Sequence, residues 1–306
     1  MRLCALSVDL DEIPNYYAIH GLDAPAVDDR GRTAVYDVAV ARLSQLAEEE
    51  RVPLTLFAIG SDLARPESRE ALRAAHLRGH EIANHTLDHR YDLVRLGRDA
   101  IARQIAGGID AIRETIGEAP VGFRAPGYTI TDEVFELLQE MGVKYDSSVF
   151  PCPPYWALKA TAIGFYKARG RESRSIVDTP SVLRAPIRPY LVGRPYWKRG
   201  TGMLEIPIQV TPKLRLQFIG TTVTMAGPTG ARKLAEMCVG EPLVNLELHG
   251  IDVLDERDGL EPLAAHQIDV RIARERKLAA IRAVIAVLRD EGYAFVTMRE
   301  AADKFV

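Results

Sequence analysis

The segment LCALSVDLDE, residues 3–12, decides the fold of this chain. Its first six residues form a short apolar run, which is typical of a buried strand, and acidic side chains follow at once. Similar runs recur along the chain, separated by amphipathic helical stretches. Strands that alternate with helices pair in parallel through right-handed crossovers. The pattern therefore predicts an α/β fold, a distorted (β/α)7-type barrel, rather than two separate lobes.

Composition narrows the class of protein. The 306 residues are 47% hydrophobic and 26% charged, which predicts a folded globular protein. The net charge of −3 argues against a general nucleic-acid coat protein, and we expect no nucleic-acid partner. We expect no transmembrane segment, because the longest uncharged stretch is interrupted by glycine and proline. The start of the chain lacks a secretory signal, and the three cysteines are scattered, so we expect a cytoplasmic protein.

The segment 151–215 interrupts the alternation of strands and helices, and we interpret it as an insertion within a single catalytic domain, 1–306. Between residues 151 and 200 ten basic side chains stand against two acidic ones, and both tryptophans, Trp156 and Trp197, lie there. Such a segment suits a phosphate-linked sugar substrate or an anionic membrane surface. A solvated loop or a homo-oligomer contact explains it equally well.

Polar side chains stand where two predicted strands end. Asp9 and Asp11 point to the same side of an extended chain, which suits one metal ligand and one general base. His85 and His89 are four residues apart, which places both imidazoles on one face of a helical turn, within reach of one ion. A solvated acidic turn is the alternative for the aspartates, and His-x3-His alone is a weak pattern.

Two further clusters follow later strands. Arg124 precedes a Pro-Gly turn and could hold a neighbouring carboxylate by a two-pronged ion pair, although a surface turn looks the same in sequence. His249 ends an apolar run, where a histidine is either a catalytic acid or a satisfied core residue. Catalytic side chains of parallel barrels come from the carboxyl ends of strands, which favours the catalytic interpretation.

Together these clusters resemble the polysaccharide deacetylases, the NodB-homology family of carbohydrate esterases (family 4). The resemblance covers residues 3 to about 149 and 243 to the C-terminus. The motifs that carry it, in chain order, are the pair Asp9 and Asp11, the second strand from Thr55 to Gly60, His85-Thr86-x-x-His89, Arg124-x-Pro126 and His249.

The resemblance implies the roles of the site residues. Asp9 would be the general base, Arg124 would orient it, and His249, tuned by Asp146, would protonate the leaving amine. Tyr128 would lie where the family supplies a backbone N–H to the oxyanion. The implied metal ligands are Asp11, His85 and His89, and the implied ion is Zn²⁺, with Co²⁺, Ni²⁺ or Mn²⁺ as alternatives. The implied reaction is removal of an N-acyl group, in the first place N-acetyl, from an amino sugar.

The sequence also departs from the family pattern. Glu247 replaces the leucine that lines the acetyl pocket, and a tryptophan common after the fourth motif is missing. Besides Tyr128, we predict substrate contacts from Glu247, Trp156 and Trp197. These departures keep three alternatives open: an amidohydrolase of a ureide or cyclic imide, a deformylase of a lipid-linked aminosugar, and a non-catalytic glycan-binding relative.

Overall fold

The computed structural model describes residues 2–26, 31–168, 170 and 173–305. It contains one twisted sheet in the order β6-β7-β5-β4-β3-β2-β1-β8, with β9 paired to β1. The strands are β1 (Arg2–Asp9), β2 (Leu54–Ala58), β3 (Glu81–Asn84), β4 (Gly122–Phe123), β5 (Tyr145–Asp146), β6 (Tyr190–Val192), β7 (Arg199–Glu205), β8 (Leu243–His249) and β9 (Tyr293–Phe295).

Nine α-helices lie among the described residues. They are α1 (Ile13–Ile19), α2 (Val40–Glu50), α3 (Pro66–Leu77), α4 (Arg98–Ile116), α5 (Asp132–Glu140), α6 (Pro153–Ala168), α7 (Gly220–Cys238), α8 (Arg274–Asp290) and α9 (Met298–Ala302). A short π-helix, Val35–Ala39, leads into α2. Helix α7 is kinked where Gly227 adopts a positive φ of 65° just before Pro228.

The β1 strand lies at the centre of the fold because its side chains are buried on both faces. It pairs in parallel with β2 on one side and with β8 on the other, so that Asp9 lies opposite both Phe57 and His249. The seven strands β7-β5-β4-β3-β2-β1-β8 run parallel, β9 also pairs in parallel with β1, and β6 is the antiparallel strand of the described sheet. The predicted α/β class and distorted barrel are confirmed.

Local signals explain where several elements begin and end. Thr131 caps α5, accepting a hydrogen bond from the Val134 N–H, as its position before an acidic run predicts. Strand β9 ends at Phe295, and Thr297 and Glu300 then form a capping box that starts α9.

The predicted insertion contains part of the sheet itself. The sequence interpretation left β7 within the insertion, but β7 pairs in parallel with β5 and is one of the seven strands of the barrel. Part of the segment's positive charge is neutralised locally: Arg188 lies 2.7 Å from Glu241, and Arg194 contacts Glu136.

Two observations concern the predicted absence of a transmembrane segment and the predicted cytoplasmic location. In the described part of the chain, no helix combines the length and the apolar character needed to cross a lipid bilayer. The thiols of Cys4, Cys152 and Cys238 are buried and free. The cytoplasmic location stays a prediction.

Candidate active site

The carboxyl ends of β1 and β3 bring four predicted site residues together. The Asp11 Oδ1 atom lies 3.3 Å from His85 Nε2 and 3.2 Å from His89 Nε2. The two Nε2 atoms are 3.1 Å apart, and Asp9 Oδ2 lies 3.7 Å from that of His85. All four side chains are buried. The same-side placement of Asp9 and Asp11 therefore holds in three dimensions.

The two histidines reach the site from a loop, not from the predicted helical turn. Asn84 Oδ1 accepts a hydrogen bond from the Thr86 N–H, and Thr86 Oγ1 accepts one from the His89 N–H. These side-chain contacts compete with helical hydrogen bonding. They hold Thr86 and His89 at positive φ, 70° and 49°. Such strained conformations are characteristic of functional loops.

The Asp11, His85 and His89 side chains fit a divalent metal ion. Each offers one ligand atom, and these atoms lie within 4.8 Å of one another. Bonds of about 2.0–2.2 Å to a tetrahedral ion place neighbouring ligands about 3.3–3.6 Å apart, close to the spacings found here. The Nδ1–H of His85 donates to the Arg124 carbonyl at 2.7 Å, which leaves its Nε2 lone pair free for a metal.

The ionisation state of the Asp11 carboxyl also suits a metal ligand. Its Oδ1 atom is buried, and its polar neighbours among the described residues are the two imidazoles. Burial would raise the pKa of Asp11, but the neighbouring imidazoles hold this pKa well below its usual range. The carboxylate is therefore ionised, as coordination requires.

Arg124 holds the Asp9 carboxylate in place through a buried ion pair. The guanidinium is completely buried, and its Nη1 donates to Asp9 Oδ1 at 2.6 Å. The predicted two-pronged pair is replaced by a single contact, because the other donors bind Ser7 and Ser147. Because all three nitrogens of the guanidinium donate hydrogen bonds, four in total, its orientation is fixed. It holds the Asp9 carboxylate in a single orientation.

His249 lies opposite Asp9 in the pairing of β1 with β8, and the Glu247 carboxylate contacts its imidazole. Its Nδ1 atom lies 2.9 Å from Oε1 of Glu247, which shares its side of β8. Burial alone lowers the pKa of His249, but the Glu247 carboxylate outweighs it and raises this pKa well above its usual value. Glu247 therefore contacts the imidazole, and its predicted contact with the substrate stays a prediction.

The predicted contact between Asp146 and His249 is not present. Asp146 lies opposite Glu205 in the pairing of β5 with β7, and the two carboxyl groups hydrogen-bond to each other. Burial raises the pKa of both groups, and the neighbouring Asp146 carboxyl raises that of Glu205 further. Asp146 also accepts hydrogen bonds from the N–H and Oγ–H of Ser148 at 2.9 and 2.8 Å. These partners hold it away from the histidine.

Substituting Glu247 by glutamine is expected to lower the pKa of His249. An amide removes the negative charge that favours the imidazolium and leaves the burial that opposes it. NMR titration of the His249 ring protons measures the change, with assignment from His249→Ala. Asp146→Asn is the matched control and is expected to leave this titration unmoved. A His249 pKa that falls in Asp146→Asn but not in Glu247→Gln would contradict the assignment.

The backbone N–H of Tyr128, which was predicted to bind the oxyanion, has a different partner in the structure. Its N–H donates to the Ala125 carbonyl at 3.1 Å, so this turn uses the group expected to bind an oxyanion. The residue adopts a positive φ of 58°, and its hydroxyl lies 3.4 Å from His249 Nε2. Lys159 of α6 donates to the Gly127 carbonyl at 2.8 Å and supports this turn.

Aromatic side chains that the sequence analysis missed surround the site. The rings of Tyr16 and His249 meet edge to face at 6.4 Å, and those of Tyr91 and His89 at 4.8 Å. Tyr155 packs against Tyr128 at 5.8 Å. Two of these tyrosines were within reach of sequence reasoning, since Tyr16 closely follows Asp11 and Tyr91 follows His89.

The contacts that the structure describes for the two tryptophans lie within and beside the insertion. The indole N–H of Trp156 donates to the Asp178 carbonyl at 2.9 Å. Trp197 packs edge to face on Tyr196 and lines a separate cavity of about 340 Å³. Both pack against an apolar cluster beneath the insertion. Their substrate contacts stay a prediction that this geometry does not favour.

Comparison with known proteins agrees with the motifs. Residues 29–145 match the family model described as polysaccharide deacetylase. The peptidoglycan deacetylase of Helicobacter pylori is 27% identical over 148 residues, which cover 48% of this chain and 49% of that protein. The chitooligosaccharide deacetylase of Sinorhizobium fredii is 36% identical over 127 residues, 40% of this chain and 56% of that protein. The chain thus spans about half the length of these relatives.

Solved structures share the fold. A Mycobacterium smegmatis protein assigned to the polysaccharide deacetylases superposes with a TM-score of 0.59 at 22% identity, covering 99% of this chain and 90% of its own. A family 4 carbohydrate esterase pseudoenzyme from Bacillus anthracis gives 0.53 at 11% identity, covering 99% and 66%. The predicted resemblance is confirmed. Because a pseudoenzyme has the same fold, activity must be argued from the site.

Proposed function

We propose that this chain, whose residues 29–145 carry a polysaccharide deacetylase domain, is a metal-dependent hydrolase that removes the N-acetyl group from an amino sugar. One observation carries the proposal. A metal-competent triad, Asp11, His85 and His89, lies beside a second carboxylate, Asp9, and His249 lies opposite Asp9 on the neighbouring strand. These are the parts that hydrolysis of an amide needs: a metal site, a base and an acid.

A bound divalent ion would supply Lewis acidity, polarising an oxygen and favouring loss of a proton from water. Asp9 is placed to accept that proton, and Arg124 keeps its carboxylate in position. Zinc suits two imidazoles and one carboxylate, and Co²⁺, Ni²⁺ and Mn²⁺ accept the same donors.

His249 completes the reaction as the acid. Departure of the amine requires a proton on its nitrogen, and Glu247 keeps the imidazole protonated near neutral pH. The Nε2 atom of His249 lies next to the Tyr128 hydroxyl. The proton that His249 would donate from Nε2 is therefore on the side of the Tyr128 turn. Because the Tyr128 N–H is engaged, this structure assigns no backbone donor to the oxyanion.

The alternative substrates lose their main support. Ureide, cyclic-imide and formyl substrates were favoured by Glu247 as a charged pocket wall, and Glu247 instead contacts His249. The non-catalytic alternative normally requires a lost ligand or base, and none of Asp9, Asp11, His85 and His89 is missing.

A substrate panel tests the proposal directly. Protein stripped of metal and then reconstituted separately with Zn²⁺, Co²⁺, Ni²⁺ or Mn²⁺ is assayed for release of acetate or formate from N-acyl amino sugars and for ring opening of a cyclic imide and a cyclic ureide. We expect acetate from N-acetylglucosamine oligomers, loss of that activity on stripping, and its return with metal. Hydrolysis of a ureide or imide alone would overturn the substrate, and tight metal binding without hydrolysis of any amide would favour a non-catalytic relative.

A further inference from the structure

A polar cleft of about 610 Å³ opens beside the metal ligand His89. Its walls come from three separate stretches of the chain: α1, the loop that follows His89, and the first part of the insertion. The loop contributes Arg90, Tyr91, Asp92 and Arg95 to the lining, and the insertion contributes Arg174. A ligand that fills this cleft would therefore extend from the proposed reaction centre.

The carboxylates in this cleft already have partners. Asp92 accepts two hydrogen bonds from Arg90, at 2.9 and 2.8 Å. Asp88 Oδ2 accepts one from the Gln104 side chain at 2.7 Å. By contrast, Arg95 and Arg174 form no ion pair within 4 Å among the described residues, and Arg95 acts on Asp92 only through its charge, which helps to lower the pKa of that carboxyl. The cleft therefore holds three guanidinium groups against two carboxylates, and only one of the three, that of Arg90, is paired with a carboxylate, Asp92.

Tyr91 adds a buried donor to the same cleft. Its side chain is only 6% exposed, and its hydroxyl has no hydrogen-bond partner among the described residues. A phenol hydroxyl can donate one hydrogen bond, so this group is a possible donor to a bound ligand. A buried hydroxyl without a partner costs free energy that a bound acceptor would recover.

The insertion holds Arg174 in place through its backbone. The Arg174 N–H donates to the Ala18 carbonyl at 3.3 Å, and the Ser173 hydroxyl donates to the Ile19 carbonyl at 2.8 Å. Both acceptors belong to α1, which starts two residues after Asp11. The position of this arginine is thus tied to the metal site.

We propose that this cleft binds an anionic substituent, a carboxylate or a phosphate, carried by the amino-sugar substrate. Arg95 and Arg174 supply the positive charge, since a guanidinium matches either group with paired N–H donors. The Tyr91 hydroxyl provides one further hydrogen bond. This inference rests on the proposed function and specifies its substrate class: acidic amino-sugar conjugates rather than neutral chitin-like chains.

The first test compares matched substrates. A neutral N-acetylglucosamine oligomer is compared with the same oligomer carrying one carboxylate and with one carrying one phosphate. For the wild-type protein we expect KM about tenfold lower for one of the acidic forms. Arg174→Ala and Arg95→Ala should each raise that KM about tenfold and change kcat/KM for the neutral oligomer less than about twofold.

Arg184→Ala is the matched control, because it removes an exposed arginine of the same segment that does not line the cleft. It should leave KM for every substrate unchanged. Equal wild-type KM values for neutral and acidic oligomers would overturn the proposal, as would an equal rise of KM in Arg174→Ala and Arg184→Ala. Preference for carboxylate or phosphate identifies the source of the charge.

A binding measurement separates this inference from the proposed function. Calorimetric titration of the protein as purified with glucuronic acid and with glucose 6-phosphate requires no hydrolysis. We expect binding that weakens about tenfold in Arg174→Ala and falls with added salt. If no amide is hydrolysed but this binding holds, the proposed function fails and the anion site stands. If neither sugar acid binds more tightly than glucose, the anion site is wrong.

Discussion

Substituting His85 by alanine is expected to eliminate both metal binding and amide hydrolysis. The imidazole is one of the three ligands predicted for the ion, and no other described His, Cys, Asp or Glu side chain joins the Asp11 cluster to replace it. Loss of a partner that merely supports a ligand already weakens metal affinity about 10–100-fold. Loss of the ligand itself should exceed this. Metal content by elemental analysis after dialysis measures the first effect, and acetate release measures the second.

His76→Ala provides the control, because it removes an imidazole at the end of α3, outside the proposed metal cluster. It should keep metal content and activity at the level of the wild-type protein. Full metal content in His85→Ala would contradict the assignment of the ion to this cluster. A variant that loses metal but retains its rate would instead separate the ion from the reaction.

The sequence predicted the centre of the site because fold and motif depend on the same strands. Asp9 and His249 end neighbouring parallel strands, and the carboxyl ends of such strands meet at one edge of a sheet. Glu247 was also accessible to this reasoning, since residues two apart in a strand share a face. We assigned it to the acyl pocket because sequence spacing does not show which of two neighbours a buried carboxylate contacts.

The partner of Asp146 was not predictable in the same way. It depends on the register of β7, which places Glu205 opposite Asp146. The β7 strand begins with Arg199, Gly200, Thr201 and Gly202, a polar and glycine-rich start without the apolar alternation of a typical strand. Its role in the sheet therefore remained hidden within the insertion.

The conformation of the histidine loop depended on side-chain hydrogen bonds instead of spacing. A separation of four residues favours one helical face, but Asn84 and Thr86 each bind a backbone N–H and redirect the chain. The two imidazoles still meet, because the loop brings His89 back toward His85. The spacing thus predicted the right neighbours through the wrong local structure.

Substituting Asp9 by asparagine is expected to leave metal binding intact and to lower kcat by about 10²–10⁴-fold, the range typical of a general base. Asparagine has nearly the same shape, and its carbonyl oxygen can still accept the hydrogen bond from Arg124, but an amide cannot take a proton from water. Metal content and kcat must be measured on the same preparation, so that loss of the ion is not mistaken for loss of the base.

The Asp9→Asn variant also changes the charge around a buried guanidinium. Removing one partner of a buried ion pair costs about 3–5 kcal/mol, and Arg124 keeps only neutral acceptors in this variant. We therefore expect a lower melting temperature alongside the lower kcat, whereas Asp99→Asn, at an exposed position on α4, should change neither. If Asp9→Asn is folded, metal-loaded and within tenfold of the wild-type kcat, another group accepts the proton. In that case Asp9 serves only to anchor Arg124.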